Sequence, residues 1–132
     1  MAAGRNRQEQ ASEDRQQAWQ SGRWAESLAA FRLRCSGYRI LARNWRSPVG
    51  EIDIVARRGR ILAIVEVKRR AERAVALAAI SPRQQIRLAE AALAFQARNA
   101  GCAALQLRFD VMTLGPGWWP HHLKDAWRPA AE

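Results

Sequence analysis

Asp53 and the pair Glu66-x-Lys68 stand in two runs of mostly apolar residues, GEIDIVARRG at 50–59 and RILAIVEVKRR at 60–70. Charged side chains are rarely buried unless paired or bound to a metal. Side chains alternate across a strand, so Glu51 and Asp53 are expected on one face with Ile52 and Ile54 on the other; Glu66 and Lys68 likewise oppose Val65 and Val67. Gly59 marks a hairpin turn. If the loop is the two residues Gly59-Arg60, partner positions sum to an odd number, so Asp53 stands opposite Glu66 and Glu51 opposite Lys68, all on one face. A three-residue loop would part them. Two carboxylates about 5 Å apart repel, which raises a pKa or draws in a cation. A hard divalent ion such as magnesium suits such a pair, and a neighbouring lysine can orient an attacking water and offset charge on a phosphate. That is the chemistry of metal-assisted phosphodiester hydrolysis. The alternative is a solvent-facing hairpin with ordinary ion pairs. The run ILAIV at 61–65, apolar on both faces, argues instead for a central strand.

The elements that must hold these residues follow from the pattern around them. Residues 1–11 lack apolar periodicity and are expected to be disordered, with 12–132 forming one domain. Ser12, Glu13 and Asp14 predict a helix start, Trp24, Leu28, Phe31 and Cys35 predict its buried face, and Ser36-Gly37 its end. A strand is expected at 38–43, then a loop at 44–48 before the hairpin. An Ala-rich loop or weak helix follows Arg70. Ser81-Pro82 predicts a helix N-terminus, with Leu88, Ala92 and Phe95 inward and an end near Asn99-Ala-Gly101. A strand at 105–114 and a short aromatic segment with a half-turn near Ala126-Trp127 complete an α/β fold, a mixed sheet flanked by helices.

The 132 residues hold 22 Lys plus Arg against 12 Asp plus Glu, a formal +10, and Lys68 and Lys124 are the only lysines. So arginine-rich an excess points to a polyanionic partner; a solubility surface is the alternative. Cys35 and Cys102 are too few and too far apart for a disulfide framework or zinc site and are expected in the core. No stretch reaches the roughly 18 apolar residues of a membrane span, and no signal peptide is legible, which predicts a soluble cytoplasmic protein.

In order along the chain, Glu26, Gly37-Tyr38, Asn44 with Arg46, Gly50-Glu51-Ile52-Asp53, Glu66-Val67-Lys68-Arg69-Arg70 and Arg108-Phe109-Asp110-Val111 resemble the pattern of the YraN family of small bacterial proteins. That family lies in the restriction-endonuclease-like PD-(D/E)xK nuclease superfamily and is itself similar to archaeal Holliday-junction resolvases. The resemblance covers about residues 20–127. It implies a DNA endonuclease using Mg2+ or Mn2+, acting on branched or structured DNA. Asp53 and Glu66 would hold the metal with the Val67 carbonyl, Lys68 would be the catalytic lysine, Glu26 a further ligand or base, and Glu51 an outer partner. Two departures stand out: Ala25 where relatives place glycine, and Gln84 where they place lysine, though Arg83 and Arg87 could supply that contact. Similarity to resolvases permits a homodimer. The rival readings are a non-catalytic nucleic-acid-binding module of this fold, serving a repair or recombination complex, and a protein–protein adaptor.

Arginines Arg57, Arg58 and Arg60, with Arg69, Arg70 and Arg73, are expected to rim the site at the two ends of the hairpin and hold the nucleic-acid backbone with Arg83 and Arg87. Arg108 and Asp110 are expected as a structural ion pair. His121-His122 has no ligand partner at metal spacing and reads as a strand-end or surface pair. Trp118, Trp119 and Trp127 are expected to close the core.

Overall fold

The computed structural model describes residues 6–69, 80–114 and 119–129, except the side chains of 11–21. The first element, α1 (Arg7–Cys35), starts five residues before Ser12. The reason is a capping box at Asn6: its side chain accepts from Glu9 N at 2.7 Å, and the Glu9 carboxylate accepts from Asn6 N. The helix closes where expected. Gly37 is left-handed (φ +87°), with Tyr38 N donating to Leu33 O and Gly37 N to Arg34 O, a Schellman end.

Strands β1 (Arg39–Ser47), β2 (Gly50–Arg58), β3 (Ile61–Lys68), β4 (Gln106–Thr113) and β5 (His121–Trp127) form one sheet in sequence order. Only β3 and β4 pair in parallel, and α2 (Pro82–Arg98) lies on the crossover between them. The α/β architecture is thus the expected mixed sheet flanked by helices. Ser81 caps α2 by accepting from Gln84 N at 3.1 Å, and Leu88, Ala92 and Phe95 are buried. Together with Ile52, Val55, Leu62, Ile64 and Phe109 they make the core on one face; Ala29, Ala30 and Leu33 of α1 pack on Ile54, Ala56, Ala63, Val65 and Met112 on the other.

Elsewhere the structure departs from expectation. The buried stripe of α1 is Ala25, Ala29, Ala30 and Leu33, whereas Trp24 and Phe31 are 61% and 51% exposed and Cys35 is exposed too. Small residues let the helix axis approach the sheet, so the bulky stripe is turned away. Trp119 is also exposed, although Cys102 is buried and Trp127 stacks on Phe109 as a core residue should. β1 does not stop at Arg43; Asn44 adopts φ +49° and carries the strand on to Ser47. The C-terminal half-turn is the strand β5. The Ala-rich segment after Arg70 and Trp118 lie outside the described residues.

The kink at Asn44 has a partner effect on β2. Arg43 pairs with Ile54 and Trp45 with Ile52, so Asp53 stands across from Asn44, and Ile52 and Ile54 end up in the cores of opposite faces rather than sharing one. Gly50 belongs to the same corner. A Cβ there would lie 3.0 Å from the Arg87 carbonyl oxygen and 3.4 Å from Ala91 Cβ, so glycine is what lets α2 lie against the start of β2.

Candidate active site

The hairpin has the two-residue turn, with Arg58 paired to Ile61 and Gly59 at φ +60°, as a Gly-first II′ turn requires. The ladder runs to Ile54–Val65 and stops. Beyond that point β2 pairs with β1 alone and β3 with β4 alone, through Lys68–Thr113. A fork opens between them. The Asp53–Glu66 and Glu51–Lys68 ladder pairs expected from the parity argument therefore do not form. Divergence strips Val67 N–H of a strand partner, and a buried amide needs one. The Asp53 carboxylate supplies it, accepting from Val67 N at 2.9 Å.

Around this fork stand Asp53, Glu66, Val67 and Lys68. Lys68 Nζ lies 3.5 Å from Glu66 Oε1, which also accepts from Gln84 Nε2 at 3.1 Å. Burial raises the Asp53 carboxyl above its ordinary range; the Val67 hydrogen bond and Lys68 oppose this, and the charges of Glu26 and Glu51 add to it. Burial, then the charge of Asp53, pushes Glu66 up to about 7 against the pull of Lys68 and Gln84. Both carboxylates thus hold their negative charge at a disadvantage that a cation would relieve.

Asp53 lines two clefts. One, of about 570 Å³, lies toward α1 and is bounded by Gly22, Arg23, Ala25, Glu26, Asn44, Arg46, Val67 and Arg69. The other, of about 710 Å³, lies toward α2 and includes Glu51, Glu66, Ser81, Arg83, Gln84 and Arg87. Glu26 accepts from Asn44 Nδ2 at 2.7 Å, so it borders the site while steadying the kinked strand. Glu51 is exposed and faces Arg46 at 3.5 Å across β1, not Lys68. Among the described residues no three His, Cys, Asp or Glu side chains converge to hold a metal by themselves. The fork instead offers two carboxylates and main-chain oxygen, a hard donor set that suits magnesium or manganese, which keep waters of their own.

The arginines divide. Arg69, Arg83 and Arg87 line the clefts, but Arg57, Arg58 and Arg60 surround the hairpin turn at the other end of β2, roughly 13–20 Å from Asp53 by strand rise. There Arg57 donates to Gly59 O and Arg58 lies over the Tyr38 ring. Arg70 and Arg73 lie outside the described residues. Arg23 and Arg46 are cleft arginines that the sequence reading did not assign to binding; Arg46 at least belongs to the Asn-x-Arg element next to the kink.

Arg108 and Asp110 form the expected ion pair, with Nε–Oδ1 at 2.8 Å and Nη2–Oδ2 at 2.7 Å. His122 joins it at 2.7 Å and Asp125 N donates at 3.0 Å, so His122 is a buried structural partner, while His121 is exposed. Burial works to raise the Asp110 carboxyl, but hydrogen bonds from His122, Arg108 and Asp125 N outweigh it and hold the pKa below the ordinary value. With the Asp110 and His122 side chains closed to solvent and Arg108 only partly exposed, this cluster ties β4 to β5.

A family model described as "Uncharacterised protein family UPF0102" matches residues 25–114. A UPF0102 protein of Parvibaculum lavamentivorans is 53% identical over 112 residues, spanning 85% of this chain and 84% of the relative. Another from Maricaulis maris is 48% identical over 115 residues, 87% of this chain and 91% of its own length. A third, from Caulobacter vibrioides, is 47% identical over 106 residues, 80% and 85% of the two chains. The matched span takes in α1 from Ala25, the fork and all of β4. No helix among the described residues is long and apolar enough to cross a membrane.

Proposed function

We propose that this chain, which belongs to the uncharacterised protein family UPF0102, the YraN family, is a metal-dependent endonuclease that hydrolyses DNA phosphodiester bonds at the fork between β2 and β3. The observation that carries the reading is the pair Asp53 and Glu66, both disfavoured as anions, beside Lys68 at the meeting of two arginine-bearing clefts. An acidic centre holds a cation and its basic surroundings hold phosphates, so the charges are sorted as a phosphate-cleaving site needs.

Asp53, Glu66 and the Val67 carbonyl would hold Mg2+ or Mn2+, which when bound supplies Lewis acidity and a more acidic water. The chain's own groups do the positioning. Val67 N–H fixes the Asp53 carboxylate, and Gln84 fixes that of Glu66. Lys68, held by Glu66, can turn one ammonium proton toward the attacking water and another toward a phosphoryl oxygen, offsetting charge as the phosphorus centre is attacked. Arg23, Arg46 and Arg69 on one side and Arg83 and Arg87 on the other grip flanking phosphates, which suits cleavage within a strand.

The test is a labelled panel of single-stranded, duplex, flap and four-way-junction DNA with Mg2+ or Mn2+, run beside Asp53→Asn and Lys68→Ala. Metal-dependent cutting, absent from both variants while binding persists, supports the reading. Binding of the panel without cutting replaces it with the non-catalytic module, and undiminished cutting by Asp53→Asn removes the fork from the chemistry.

A further inference from the structure

The outer ridge of α1 carries bulky apolar side chains that belong to none of the core clusters among the described residues. Trp24 is 61% exposed and Phe31 51%, on the side of the helix opposite the buried alanines. Trp119, 39% exposed, meets Phe31 edge-on at 6.1 Å, and the Arg32 guanidinium lies 5.5 Å from the Trp119 ring centre. Trp24 and Phe31 stand two turns apart on one ridge of the helix, about 10 Å along its axis, and exposed aromatics so aligned suit a binding surface.

Charge decides the occupant. Residues 22–47 contain six arginines (Arg23, Arg32, Arg34, Arg39, Arg43 and Arg46) and one carboxylate, Glu26, which bonds to Asn44. Arg39, Arg43 and Arg46 are exposed on β1, the edge strand beside α1. A second copy of this chain would set two such basic faces against each other, a like-charge contact that opposes association. A polyanion is attracted to it. Aromatic rings standing among arginines also match one polyanion in particular, an unpaired nucleic-acid strand, whose bases stack on the rings while its phosphates meet the guanidiniums. The surface is continuous with the candidate site, since Arg23 and Glu26 of α1 and Asn44 and Arg46 of β1 line the cleft at Asp53.

We propose that the outer face of α1, with the adjoining edge of β1, binds an unpaired nucleic-acid strand by stacking bases on Trp24 and Phe31. It rests on the nuclease reading only for its purpose: it would favour substrates in which a single strand leaves a duplex beside the fork.

The experiment is a binding titration without metal, so that cleavage plays no part. Fluorescein-labelled oligothymidine, oligouridine and a duplex of equal length are followed by anisotropy with the wild type, Trp24→Phe, the double variant Trp24→Ala/Phe31→Ala, and Leu93→Ala. Both aromatics are exposed, so the double variant is expected to fold, which circular dichroism checks. The expected result is preference for the single strands, wild-type binding by Leu93→Ala, an exposed apolar residue of α2 that serves as control, tighter binding by Trp24→Phe than by the double variant because a ring remains, and roughly tenfold or greater weakening in the double variant. Comparing oligothymidine with oligouridine shows which sugar is taken. Equal binding by the wild type and the double variant overturns the proposal, as does no binding of single strands at low salt. A wild-type dimer in sedimentation that the double variant breaks to monomers assigns the face to a second copy and also overturns it. Cleavage with unaltered binding in the double variant would sink this surface and leave the nuclease reading standing; aromatic-dependent binding with no cleavage would do the reverse.

Discussion

Replacing Glu66 with glutamine should make the metal-free protein more stable and inactive at once. The folded chain raises this carboxyl from 4.5 to about 7, first by burial and then by the charge of Asp53. A rise of that size corresponds to about 3 kcal/mol between the charged and neutral forms. The sign follows from proton binding. The folded state holds the Glu66 proton more tightly than the unfolded state, so this contribution is complete below about pH 4.5 and is lost as pH rises through about 7. Glutamine keeps an Oε1 to accept from Gln84 and removes the titration. In urea denaturation with a chelator, Glu66→Gln should therefore exceed the wild type by up to about 3 kcal/mol near pH 8, and the difference should vanish near pH 4. Cleavage should be absent at both. A variant less stable than wild type near pH 8, or a stability difference independent of pH, would refute the claim that Glu66 is held against its preferred ionisation.

Magnesium should reverse the penalty: at about 100 times its Kd it should stabilise the wild type by about 2.7 kcal/mol and leave Asp53→Asn/Glu66→Gln nearly unmoved, measured as the shift in Tm. Asp110→Asn takes the charge partner from Arg108 in a mostly buried network and should cost about 2–3 kcal/mol, less than for a pair wholly closed to solvent; a midpoint close to wild type would show that the network does not brace the sheet. Gly50→Ala places a methyl 3.0 Å from the Arg87 carbonyl and should cost about 1–3 kcal/mol, read from chemical denaturation, and unchanged stability would mean that α2 gives way.

The hairpin was legible because parity is arithmetic: once Gly59-Arg60 forms the turn, the pairing of Ile54 with Val65 follows. Ser81-Pro82 and the Leu88, Ala92, Phe95 face of α2 were equally plain, since cap chemistry and a 3.6-residue period act locally. Sequence pattern and structure part where a neighbour overrides the local signal. On α1 the larger side chains have the stronger periodicity, yet close approach to β2 and β3 selects the alanines, a preference set by the sheet and not by the helix. The left-handed Asn44 lets β1 run on and reverses the facing of Ile52, and asparagine in a loop-like stretch gives no warning of that. β5 hides because its single deeply buried apolar residue, Leu123, sits among charged and polar neighbours that pair with the Asp110 network or with solvent. Of the candidate site, spacing singles out Asp53, Glu66 and Lys68, though not the fork that keeps Asp53 and Glu66 from pairing. Arg23 and Arg46 were not, since their part in it depends on where α1 and the kink put them.

The two sides of the fork differ in how far the chain must travel to make them. β2 and β3 are joined by a two-residue turn and can close within microseconds, as isolated hairpins do. β3 and β4 join only after the crossover bearing α2 has looped back, a slower event because its ends are distant in sequence. Contact order therefore predicts that Asp53 and Glu66, one step beyond the last hairpin pair Ile54–Val65, reach the same end of the hairpin while still open to water, where their repulsion is weak. The burial that raises their pKa values arrives later, with α2 and Gln84. On this ordering the site's electrostatic tension is expected late in folding, on two carboxylates whose strands have already met.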